Sequence, residues 1–211
     1  MELKLSLLIN AIIFLATTSI VISYFFKRKT QTKALGARSF KYFTTISNVS
    51  SALTSLAVII AELAVKSDTI TYPHVLVHLK LMSTVAVTLT LVTSIFHLGP
   101  VFGFGHMFGG TNFYMHLAGP LLAIYAFCFL ENFDSLTIEE SIVAVVPSLI
   151  YYMVYVRQVI FVQRRDASGH LERGWEDFYG LNRGGRWPLV LVLMLAVILG
   201  ISLGLRLLYN V

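Results

Sequence analysis

Six apolar runs dominate this chain, and each is long enough to cross a lipid bilayer as a helix. They are Leu5–Phe26, Tyr42–Val65, Val75–Leu98, Phe113–Leu130, Ile142–Val162 and Pro188–Leu208. A spanning helix needs about 20 predominantly apolar residues. Hydrocarbon offers no partner to backbone N–H and C=O groups, so runs of this length must close their hydrogen bonds internally, as α-helices. Only 13% of the 211 residues are charged and 56% are hydrophobic, which leaves no stretch polar enough for a separate soluble domain. The sequence predicts an all-α polytopic membrane protein, a single domain over 1–211 built as a bundle of six transmembrane helices. The first run is too long for a cleaved signal peptide and lacks its small-residue exit. No internal repeat or low-complexity tract interrupts the pattern.

The charges orient this bundle. Lys27, Arg28, Lys29, Lys33, Arg38 and Lys41 follow the first run, and Arg164, Arg165, Arg173, Arg183 and Arg186 follow the fifth. The loop after the fourth, ENFDSLTIEE, has no Lys or Arg. Basic loops face the cytoplasm, which predicts both termini outside. The net charge of +5 is thereby accounted for by loop bias, and nucleic acid is not an expected partner. Short loops and the absence of targeting signals fit a bacterial inner membrane. The single cysteine, Cys128, lies in an apolar run and permits no disulfide within the chain. The stretch GPVFGFGHMFGGTN falls on the cytoplasmic side, and its glycines suit a re-entrant or interfacial loop in which backbones approach closely.

The second run opens with hydroxyl and amide groups: KYFTTISNVSSALTSL. Residues three and four apart share a helix face, and Thr44, Ser47, Asn48, Ser51 and Ser55 follow that spacing. About five turns beyond Thr44 the same face reaches Glu62. Such a face belongs inside the bundle. Ser and Thr there also serve as packing contacts between helices, whereas a buried Asn48 requires a partner. Glu62 and Lys80 are both expected near the outer ends of their helices, where an ion pair between them would be structural.

Thr44, His97, Asn112 and His116 all fall at the cytoplasmic ends of predicted spans. A threonine hydroxyl is a weak nucleophile at neutral pH and needs a base such as neutral imidazole within reach. Oxyanion donors are available in Asn side chains or in the N–H groups of the glycine-rich loop. Thr44 is preferred to Thr45, which points about 100° away from the polar face. No HExxH motif or Walker A loop occurs. His74 and His78 are four apart, but no third ligand lies near them in sequence. Neither a metal nor a cofactor is expected.

KYFT at Lys41–Thr44 resembles the K-[FY]-[LF]-T motif of the androgen-induced membrane protein family, threonine hydrolases of fatty acid esters of hydroxy fatty acids. NFYMHLAGPLL, Asn112–Leu122, resembles that family's N-x-x-x-H segment with its following apolar, proline-containing run. HLERGWEDFYGL, His170–Leu181, resembles its G-x-W-x-Y-P-F-L loop through Trp175, Phe178 and Leu181, without the Tyr-Pro pair. The likeness runs from about Lys41 to the last helix and extends to bacterial members. It implies six spans, a nucleophile at Thr44 and a catalytic histidine at His116. The chain departs from the family at Ser47, where animal members carry Asp, which bears on rate or substrate.

Three functions are compatible with these residues. An intramembrane esterase would use Thr44 and His116 on a lipid ester, with Ser47, Asn48, His97, Asn112 and Trp175 as supporting or substrate-binding groups. An acyltransferase on the same scaffold would pass the acyl group to a lipid hydroxyl instead of water. A lipid-binding or transport protein would depend on Glu62 and Lys80 more than on Thr44. Pro120 and Pro147 interrupt two spans at non-equivalent positions, unlike the paired broken helices of repeat-built transporters.

Overall fold

A computed structural model describes residues 2–26, 34–67, 71–131, 135–165 and 171–210. Lys27, Arg28, Lys29, Lys33 and His170 lie outside the described residues. Among the described residues six helices are long and apolar enough to span a membrane: α1 Glu2–Ser23, α2 Phe43–Lys66, α3 His74–Phe102, α4 Thr111–Phe129, α5 Ile138–Phe161 and α6 Trp187–Tyr209. These are the six runs of the sequence, with two informative differences at their ends. α5 starts earlier than its hydropathy suggests, because Thr137 and Glu140 form a reciprocal capping box that begins the helix in polar sequence. α3 continues past Gly99 and Pro100 into the glycine-rich segment, which then forms a short helix at Phe104–Met107. Between α5 and α6 the chain turns through a small antiparallel hairpin, β1 Gln163–Arg165 and β2 Leu171–Arg173, a minor addition to an otherwise helical bundle.

α3 is the central helix, packing on α2, α4, α5 and α6. Its Val77, Leu81, Val85 and Leu89 join Phe127 and Cys128 of α4 and Ile198 and Leu205 of α6 in the main apolar core. Cys128 is buried there as a free thiol. The outer faces carry exposed Leu8, Leu53, Ile60, Phe96, Val192 and Leu207, as a lipid-facing surface requires.

The polar face of α2 points inward, with Ser47, Asn48, Ser51, Ser55 and Glu62 all buried. The expected Glu62–Lys80 pair does not form as such. Lys80 Nζ lies 3.2 Å from Glu131 Oε1 and donates to Asn10 Oδ1 at 2.5 Å and Ser55 Oγ at 3.0 Å. Glu62 instead accepts from Ser6 Oγ at 2.6 Å, and Asn10 Nδ2 donates to Glu131 at 2.8 Å. A buried ammonium needs several partners. Its nearest carboxylate comes from Glu131, two residues past the end of α4, which no helical spacing on α2 or α3 could indicate.

Candidate functional site

Among the described residues three segments are wound as π-helix: Ser94–Leu98 in α3, Tyr114–Ala118 in α4 and Arg157–Phe161, which closes α5. The first two are each followed by Gly-Pro, at Gly99–Pro100 and Gly119–Pro120. Proline lacks an N–H, and its ring clashes with the carbonyl four residues back; a wider turn relieves that clash. In α4 the Gly119 N–H bonds Tyr114 C=O, so it no longer serves Met115 C=O, and Pro120 has no N–H to replace it. Asn48 supplies the donor, its Nδ2 bonding Met115 C=O at 3.0 Å and Thr44 C=O at 2.8 Å. This is the partner that burial of Asn48 demanded. Residue 119 must be small, since a Cβ there would stand 3.0 Å from Tyr114 C=O and 3.3 Å from Asn48 Oδ1.

His116 is carried by the π segment of α4 and is 8% exposed. Its Nδ1 lies 2.7 Å from Ser94 Oγ. Ser94 Oγ also lies 2.7 Å from Thr90 C=O; with its proton given to that carbonyl, the His116–Ser94 bond runs from Nδ1–H to Oγ. In that arrangement Nε2 is the proton acceptor of the ring.

Thr44, Asn112 and His116 line one cavity of about 390 Å³. Thr45 lines it as well and is buried, so the helical-wheel expectation that Thr45 points away is not met. Two adjacent residues at a helix N-terminus both reach a cavity that wraps around the helix end. Among the described residues Thr44 has no hydrogen bond to His116; the two share the cavity wall. Asn112 Nδ2 donates to His106 C=O at 3.1 Å, and His106 lines the same cavity.

A second cavity of about 380 Å³ adjoins Thr44 on its other side. Its wall is mainly apolar and aromatic, with Phe43, Leu89, Tyr151 and Leu193 among its residues. Both volumes fall in the range of about 300–1,000 Å³ usual for small-molecule pockets. Thr44 and Tyr179 line both cavities.

Tyr179 is a site residue that sequence reading passed over in favour of its neighbours. The loop bearing it is fixed by Asp177, which accepts from the Leu181 and Asn182 N–H groups at 2.8 Å each and from Tyr155 Oη at 3.0 Å. Tyr179 Oη accepts the Phe43 N–H at 2.9 Å and lies beside the Thr44 hydroxyl. Burial pushes its phenol up to about 12, so at neutral pH it is an uncharged group carrying a proton. Phe43 is at the first turn of α2, where N–H groups have no partner inside the helix.

The remaining predicted residues lie around this centre. His97 is exposed; its Nε2 bonds Tyr179 C=O at 2.9 Å and the ring lines the apolar cavity. Ser47 is buried between α2 and α3, 2.9 Å from Thr90 Oγ1, and lines neither cavity. Trp175 packs with Tyr155 and Phe178 in an aromatic cluster and lines neither of these two cavities. Ser94 shares a helical spacing on α3 with Ser83, Thr90 and His97, a row that packing between helices also produces, and Tyr179 had no distinguishing spacing. Comparisons with known protein families, with characterised proteins and with solved structures find no match to this chain.

Proposed function

We propose that this chain is an intramembrane lipid esterase in which Thr44 is the nucleophile and His116 the base. The observation that carries the reading is the oriented imidazole. His116 is held through Nδ1 by Ser94 on the wall of a cavity that Thr44 shares, and the reaction uses the tautomer whose Nε2 accepts a proton. The Thr44 hydroxyl attacks the ester carbonyl while His116 takes its proton. The tetrahedral intermediate collapses, the alcohol leaves with that proton, and an acyl-threonine remains. Water then attacks the acyl group, His116 again moves the proton, and the fatty acid leaves with Thr44 restored. Hydrogen bonds of this kind are often loose without substrate and tighten in the reacting complex, which accommodates the absent Thr44–His116 hydrogen bond. The protons of Tyr179, Thr45 and Asn112 are the available stabilisers of the oxyanion.

The placement of Thr44 between two unlike cavities supports an amphipathic substrate. The apolar cavity suits a fatty acyl chain, and the cavity with Thr45, His106 and Asn112 suits the polar alcohol half and the incoming water. The family resemblance narrows the class to fatty acyl esters such as fatty acid esters of hydroxy fatty acids. The same acyl-enzyme would serve an acyltransferase if a lipid hydroxyl enters the polar cavity in place of water. Product analysis with and without added alcohol separates the two.

The test is fluorophosphonate labelling of the purified protein in detergent, with the adduct located by peptide mass. Wild type is expected to label at Thr44, and both Thr44→Ala and His116→Ala to lose the label, while Thr45→Ala keeps most of it. Loss in Thr45→Ala alone would move the nucleophile by one residue. A folded wild type that takes no label would remove the hydrolase and leave a lipid-binding protein.

A further inference from the structure

At the other end of α3 from Ser94, about 30 Å away by helical rise, His74 and His78 stand one turn apart. The first turn of α5 brings Glu140 against them. Glu140 Oε1 lies 3.0 Å from His74 Nε2 and 2.8 Å from His78 Nε2, and the two Nε2 atoms are 3.1 Å apart. Three ligand atoms of three side chains therefore converge on one point. Spacing alone shows only the two histidines, because Glu140 is 62 residues beyond His78.

Protons serve this arrangement poorly while the carboxylate is ionised. If both Nε2 atoms donate to Oε1, two N–H groups crowd one oxygen with their nitrogens 3.1 Å apart, and if one Nε2–H is shared between Oε1 and the other Nε2, each bond is bent. If one ring carries its proton on Nδ1, its Nε2 lone pair faces the carboxylate lone pairs. A divalent cation accepts all three lone pairs together. Donors about 2.1 Å from one zinc-like ion, at tetrahedral or octahedral angles, stand roughly 3.0–3.4 Å from one another, close to the separations here. The carboxylate is also held from behind, since Glu140 Oε2 accepts the Thr137 N–H at 2.7 Å; such outer contacts orient metal ligands. The side chains of His74, His78 and Glu140 are 46%, 30% and 17% exposed, which leaves a path for the ion and room for water to complete its shell.

The geometry points to a binding site for a divalent first-row transition ion, of the zinc kind, formed by His74, His78 and Glu140. Imidazole with carboxylate suits that class over calcium or magnesium, which prefer all-oxygen shells. A bound ion ties the N-terminal end of α3 to that of α5. Its distance from Thr44 and His116 makes it a clamp on the bundle, separate from the proposed hydrolytic centre.

The experiment is Zn²⁺ titration of the chelator-stripped full chain in detergent by calorimetry, with thermal unfolding in parallel. Wild type is expected to bind one Zn²⁺ per chain and to gain thermal stability from it. His74→Ala, His78→Ala and Glu140→Gln should each weaken binding by more than about tenfold and lose the stabilisation. Gln at 140 retains an oxygen for the Thr137 cap, so that variant separates loss of the ligand charge from loss of the helix start. Glu139→Gln, a neighbouring carboxylate outside the cluster, should bind as wild type does. Wild type that binds no Zn²⁺ would overturn the site, as would equal binding by His78→Ala and Glu140→Gln.

Discussion

The chemistry proposed here rests on one ring and the hydroxyl that turns it. With its proton on Thr90 C=O, Ser94 accepts from His116 Nδ1, the arrangement that keeps Nε2 free to take a proton. Removing the Ser94 hydroxyl leaves the ring in place but lets its tautomers mix. In Ser94→Ala the rate constant for fluorophosphonate labelling should fall by about 10- to 100-fold. His116→Ala should lose at least as much, in line with the roughly 10²–10⁴ that general acid–base catalysis contributes. An unchanged rate in Ser94→Ala would remove its orienting role. Thr44, Asn112 and His116 were legible in the sequence because helix ends and topology put them at one depth. Ser94 and Tyr179 were not. A serine within an apolar run reads as helix packing, and Tyr179 reaches the site only through a loop shaped by Asp177.

The helix that carries His116 is held in its π form by a local shortage of donors. Gly119 gives its N–H to Tyr114, Pro120 has none to give, and Asn48 reaches across from α2 to serve Met115 C=O. A π turn inserts one residue, which rotates everything before it by about 100° relative to an unbroken α-helix. The bulge is thus what sets the direction in which His116 leaves its helix, and such bulges are frequent at functional sites. Asn48→Leu should cost about 1–3 kcal/mol by leaving a buried carbonyl unpaired. In a Pro120→Ala background the new N–H can serve that carbonyl, so the same substitution should cost appreciably less. A double-mutant cycle on thermal or denaturant unfolding in detergent measures the difference. Strictly additive losses would show that Asn48 and Pro120 do not share this carbonyl. The sequence made the demand visible, since a buried Asn needs a partner, but it had no means of showing that a proline on another helix created the vacancy.

For the whole molecule, the six helices and their approximate ends follow from hydropathy and length, because a bilayer allows few alternatives for an apolar run. How the helices meet does not follow, since periodicity assigns a face to each helix and no partner to that face. The buried charges illustrate this. Glu62 and Lys80 were visible as opposite charges near one level, yet Lys80 pairs with Glu131, and Asn10 of α1 bridges that pair while Ser6 engages Glu62. The cluster joins α1, α2 and α3 to the end of α4, and one ammonium serves a site holding two carboxyls. Breaking a buried pair from one side is costly, because the other charge is left without a counterion. Lys80→Met should therefore destabilise the bundle by about 3–5 kcal/mol. Glu62→Gln should cost much less, since it removes a carboxyl and keeps an oxygen for Ser6. Replacing both partners, Lys80→Met with Glu131→Leu, should recover most of the loss, as buried pairs exchanged for apolar residues often do. Unfolding of the four proteins in one detergent decides the matter. If Glu62→Gln is as damaging as Lys80→Met, then Glu62 rather than Glu131 is the main counterion, and the pairing described here is wrong.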